Sequence, residues 1–113
     1  MKKPRIDIGK DSTIELERDY FQIVGERLAL ALMENIVSDD GDECEALYLP
    51  AKREIQLLRA YATLDSFGTG AWEEIVHGIC DHAEINLPHE QQVILAHSIW
   101  LAQATFNDLS WWR

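Results

Sequence analysis

The chain has 113 residues, 20 Asp and Glu against 10 Lys and Arg, a formal net charge of -10 and a pI near 4.6. That length supports one domain, and 47% hydrophobic residues, with four Trp, three Tyr and three Phe, exceed what a solvated disordered chain carries. The acidic balance disfavours free nucleic acid and anionic membrane, which both reward Lys and Arg, and points to a basic protein partner.

After the basic start Met1-Lys2-Lys3-Pro4-Arg5, the residues Ile6-Asp7-Ile8 alternate instead of forming the apolar stretch of a secretory signal. The longest apolar run, Leu28 to Met33, falls far short of the roughly 20 residues that cross a bilayer. A cytoplasmic chain is expected, with Cys44 and Cys80 as free thiols. Ile6 and Ile8, then Ile14 and Leu16, flank the turn-forming Gly9-Lys10-Asp11-Ser12, which predicts a hairpin. The alternative is a helix start, since Ser12 and Glu15 fit a capping box.

From Arg18 to Val37, Phe21, Val24, Leu28, Ala31, Leu32 and Ile36 recur at three and four, the spacing of one helical face. Gly25 inside it costs up to about 1 kcal/mol relative to Ala. Ser38 to Glu43 then form an acidic turn, with Asp40-Gly41 as an alternative hairpin tip. Pro50 fits the first turn of a second helix bearing Ile55, Leu58 and Ala62, which Gly68 would close in the left-handed conformation. A third helix carries Trp72, Ile75, Val76, Ile79 and Ala83. Asn86-Leu87-Pro88 opens a fourth, with Val93, Ile94, Trp100, Leu101 and Ala104 at helical spacing. The expected architecture is mainly α: one domain over residues 1–113, with 1–17 a hairpin or extended arm and 18–113 a bundle of about four helices.

The charge is uneven. Between Arg59 and Arg113 there is no Lys or Arg, yet seven acids lie there, whereas an ordinary solvated surface mixes both signs. Glu73, His77, Cys80, Asp81 and Glu84 fall at steps of three and four on the third helix, with Glu74 beside them, and predict one stripe. A second cluster runs from Glu34 through Asp39, Asp40, Asp42 and Glu43 to Glu45. The residues expected to contact a partner are Asp39, Asp40, Asp42, Glu43, Glu45, Glu73, Glu74, Asp81 and Glu84. Such a surface steers toward Lys- and Arg-rich grooves. Duplex DNA as long as this domain, about 30 to 35 Å, carries about 20 phosphate charges, so the chain can imitate only a short stretch of backbone.

His77, Cys80, His82, His89 and His97 match no standard zinc spacing. The order around Asp39 is not that of a calcium loop. Cys80, His77 and Asp81 are neighbours along one helix rather than a nucleophilic triad. No catalytic residue, metal site or cofactor is expected, and His97 is placed in the core. Trp111-Trp112 either dock on the bundle or meet a partner, including a second copy of the chain.

A short, acidic, unexported, mainly helical chain resembles, in overall profile rather than in any motif, the phage-encoded anti-CRISPR inhibitors and the bacterial toxin-immunity proteins. It is also similar to the DNA-mimic anti-restriction proteins of phages. The resemblance implies stoichiometric inhibition in a host bacterial cytoplasm, with carboxylates occupying the Lys and Arg of a CRISPR-Cas effector subunit or another nucleic-acid-binding protein. A homo-oligomeric adaptor or structural subunit is the alternative.

Overall fold

The computed structural model describes residues 3–107. The chain runs β1 (Arg5–Ile8), β2 (Ser12–Glu15), β3 (Tyr20–Ile23), β4 (Glu26–Met33), β5 (Ala46–Leu49), a 3-10 turn (Pro50–Lys52), β6 (Glu54–Leu58), β7 (Ala60–Tyr61), α1 (Leu64–His82) and α2 (His89–Asn107). With seven strands and two helices among the described residues, this is an α/β fold, and the expected four-helix, mainly α bundle is wrong. Trp111 and Trp112 lie outside the described residues.

The N-terminal hairpin is present: β1 and β2 pair antiparallel, with Ile6 opposite Ile14. β1 also pairs in parallel with β7, giving the sheet order β2-β1-β7. The second sheet has the order β3-β4-β6-β5, in which β4 and β6 are parallel and the outer pairs antiparallel.

The first predicted helix is this second sheet's opening hairpin. Val24-Gly25 is a turn, and Gly25 has φ +78°, a conformation glycine adopts without strain. Glu26–Met33 reads Glu-Arg-Leu-Ala-Leu-Ala-Leu-Met, which alternates Leu and Ala. That run satisfies a period of two as well as it satisfies the helical spacing. Leu28 is fully buried while Arg27 and Ala29 are exposed, so the strand alternates at its start, and Leu30 to Met33 are all partly buried.

The second predicted helix is also a strand region. Pro50 opens a 3-10 turn that ends at Arg53, itself at φ 49°. Ile55 and Leu57 in β6 are both fully buried, each worth about 1.5 to 3 kcal/mol.

The last two helices stand as predicted in type, but α1 begins earlier than expected. Thr63 caps it: its hydroxyl accepts from the Ser66 amide at 3.1 Å, and its own amide donates back to Ser66 Oγ at 3.3 Å. Gly68 therefore lies inside α1 rather than closing a helix, and it is buried. The main core joins Ile6, Leu28, Tyr48, Ile55, Leu57, Tyr61 and Ala71, with α1 laid over β5 and β6. A second core of Val76, Cys80 and Ala96 joins α1 to α2. No helix among the described residues is long and apolar enough to cross a membrane.

Candidate functional site

Two acids from each of the two acidic clusters meet at one place. The loop after β4 folds on itself through Ser38 N–H to the Asp42 carbonyl at 2.9 Å, Gly41 N–H to the Ser38 carbonyl at 2.9 Å and Cys44 N–H to the Ile36 carbonyl at 2.9 Å. Ile36 anchors it in the interior. Its far end is fastened by the Tyr61 hydroxyl, which donates to the Glu45 carbonyl and accepts from the Leu58 amide at 3.1 Å. Burial pushes the Tyr61 phenol above its ordinary pKa.

Glu43 and Glu45 thereby come beside Glu73 and Glu74 of α1. The four carboxylates line a groove of about 360 Å³ that also takes in Ser66 and Thr69, and among the described residues no Lys or Arg lines it. Gly70 and Ala46 also line it, and a Cβ added at Gly70 would lie 3.5 Å from that of Ala46.

The four acids are not equivalent. The Glu74 carboxylate accepts from the Tyr48 amide at 2.8 Å and sits 3.3 Å from His77 Nδ1. Glu73 meets His97 Nε2 on α2 at 2.8 Å. His97 is thus a half-exposed partner of an acid across the helix pair, not the core histidine expected from its spacing. Glu43 and Glu45 are exposed, which makes them the groove's accessible charges.

The hydrogen bond to Glu74 raises the His77 pKa, against the opposing effect of burial, with further attraction from Glu74 and Glu73. Nε2 of the same ring is buried with no partner among the described residues, which limits the gain from protonating it. A His raised in the folded state adds stability that is fully present below its unfolded pKa, about 6.5, and is lost as pH rises through the folded value. The urea midpoint of the native protein should therefore fall between pH 6 and pH 8 more than that of a His77→Gln variant; parallel pH curves would remove His77 as the source.

The expected stripe on α1 is divided. Cys80 is buried against α2, its thiol raised by that burial, so it is not a surface member. Asp81 accepts from the Tyr48 hydroxyl at 2.8 Å and from Arg53 Nη1 at 3.0 Å. Burial is the main cause, and the Asp81 hydrogen bond the second, of the raised Tyr48 pKa. Arg53, which also lies 3.7 Å from Glu26, offsets the charge of Asp81. Glu84, two residues beyond α1, has φ 56° and shares a separate hollow with His77, Cys80 and Asp81. Asp39, Asp40 and Asp42 are exposed on the loop that leads to Glu43, outside the groove lining.

One feature escaped the sequence reading. Phe21, Ile23, Val24, Trp72, Ile75 and Ile79 line an apolar groove of about 550 Å³ between the β3–β4 turn and α1. With residues 18–37 assigned to a helix, the side chains of β3 had no reason to face Trp72. The signal was Gly25, read as a cost to a helix rather than as a turn.

Comparison with protein-family models, curated proteins and solved structures finds no match to this chain. The class the fold and site define is an α/β protein with a four-carboxylate groove between a loop and a helix.

Proposed function

We propose that the protein is a non-catalytic binding protein that engages a Lys- and Arg-rich surface of another protein through the groove of Glu43, Glu45, Glu73 and Glu74. The observation that carries this is the convergence of two acids from each of two sequence-distant clusters on one concave site, with no Lys or Arg in its lining among the described residues. Carboxylates gathered in a concavity focus the field and raise encounter rates with cations, and Glu73 and Glu74 are already oriented by His97, His77 and the Tyr48 amide. The partner surface is of the kind that otherwise holds nucleic acid, so binding acts as a stoichiometric block. The acids Asp39, Asp40 and Asp42 extend the negative field along the approach, while Asp81, paired with Arg53, contributes least and Glu84 stands apart.

The test matches charge against position. In capture from a bacterial lysate followed by mass spectrometry, Glu43→Lys with Glu45→Lys should reduce recovery of basic, nucleic-acid-handling proteins about tenfold or more, and native binding should weaken as salt rises. Asp11→Lys with Glu15→Lys makes the same change in net charge on the exposed N-terminal hairpin and should leave recovery near native. Equal loss from both pairs, or salt-insensitive binding, overturns the reading.

A further inference from the structure

We infer that the outer face of α2 is a contact between two copies of this chain, independent of the acidic groove. α2 runs for 19 residues, about 28 Å, and its packing is onto α1. Glu90 is the sole Asp, Glu, Lys or Arg among those 19 residues. A helix that meets solvent along one side ordinarily carries charge there, yet Ile94 is 65% and Leu101 64% exposed, with Leu95 and Phe106 also exposed. With Ala96 fully buried against α1, a rotation of about 100° per residue turns Ile94, Ser98, Leu101 and Thr105 directly away from it.

The order of these residues is self-complementary. In an antiparallel pair whose two-fold axis passes at Ser98, Ile94 meets Leu101 of the second copy, Leu95 meets Ala102 and Gln91 meets Thr105, each contact occurring twice. The small Ser98 stands where the helices approach most closely, the arrangement an isologous interface requires.

Charge selects the same occupant. Two chains of net charge -10 repel through any acidic surface, but this face brings together none. The two Glu90 side chains fall at opposite ends, about 24 Å apart along the axis, well beyond a Debye length of about 10 Å. A basic partner would find a single carboxylate along this helix, Glu90 in its first turn, and so little charge to pair with. The footprint of one helix, about 28 by 10 Å, is below the roughly 800 Å² per partner of a standard interface, so the dimer is reversible and depends on concentration.

Sedimentation velocity of the full chain, from low micromolar to near-millimolar concentration, should show a monomer–dimer equilibrium. Leu101→Glu should raise its dissociation constant about tenfold or more without moving the unfolding midpoint at low concentration, where the monomer prevails, because the side chain is exposed. In a Cys44→Ser background, Ser98→Cys should give a disulfide-linked dimer under mild oxidation, and Ala60→Cys, at an exposed position away from α2, should not. A monomer at every concentration, a dimer indifferent to Leu101→Glu, or equal cross-linking from both cysteine variants overturns the inference.

Discussion

Gly68→Ala is expected to destabilise the protein by about 1 to 2 kcal/mol, although the same change in an unobstructed helix is worth up to about 1 kcal/mol of stabilisation. The difference is Trp100. A Cβ on Gly68 would come within 2.6 Å of three atoms of its indole ring, and the ring cannot retreat freely, because its Nε1 donates to Asp65 at 3.0 Å and a second indole, Trp72, is tied to Gln103 at 2.8 Å. Overpacking of this kind costs about 1 to 3 kcal/mol, and α2 must shift on α1 to relieve it. Gly70→Ala, two residues on, meets only an ordinary 3.5 Å contact with Ala46 and should stabilise by a few tenths to about 1 kcal/mol. Thermal unfolding of the two variants should therefore move in opposite directions, with Gly68→Ala lower by roughly 5 to 10 °C. A rise in midpoint for both would mean that the indole does not cover Gly68.

The second large effect is a coupling rather than a single loss. Leu28 is fully buried at the centre of the main core, and its replacement by alanine should cost about 2 to 5 kcal/mol in lost burial and cavity. Gly78→Ala should cost about 1 to 3 kcal/mol for the opposite reason, since the new Cβ would lie 2.6 Å from Leu28 Cδ1. Combined, the methyl on the helix occupies space the leucine has vacated. The double variant should be more stable than the sum of the single losses by about 1 kcal/mol or more, read from urea unfolding of all four proteins. Strict additivity would show that α1 does not approach the sheet through this pair.

The parts of the fold legible in the sequence are those whose pattern is local. The β1–β2 hairpin shows in Ile6 and Ile8 against Ile14 and Leu16 around a turn, and α1 and α2 show in the spacing from Trp72 to Ala83 and from Val93 to Ala104. Residues 18–37 and 50–62 were misread because their structure depends on distant partners, whereas the acidic turn at 38–43 is a loop as expected. The Leu-Ala run of β4 suits a strand only once β6 lies beside it, with Leu30 opposite Ile55 and Leu32 opposite Leu57, and tertiary context of this kind decides strand formation more than intrinsic preference does. Pro50 correctly marked a helical first turn, but one that stops at Arg53. With that helical region lost, the resemblance to small inhibitors retains size and charge and loses its mainly helical character.

The candidate site divides in the same way. That Glu43, Glu45, Glu73 and Glu74 carry charge was plain, and spacing placed the last two on one helix. Their meeting depends on β5 lying against α1, which no local pattern contains. Spacing likewise put Asp81 in a stripe with Glu73, but Arg53, 28 residues earlier, comes back across the sheet to meet it. Cys80 shared the stripe's periodicity and is nevertheless buried, because α2 covers that side of α1.

The bond from the Tyr48 amide to Glu74 has a consequence for aggregation. β5 is the last strand of its sheet, and a terminal strand with open amides is a template on which another chain can extend the sheet. Glu74 occupies the Tyr48 amide and does so with a negative charge, while α1 lies along the same strand. The carboxylate therefore guards the sheet against polymerisation, so a variant that removes it tests solubility as well as binding, and the charge reversal that isolates recognition is the one confined to Glu43 and Glu45.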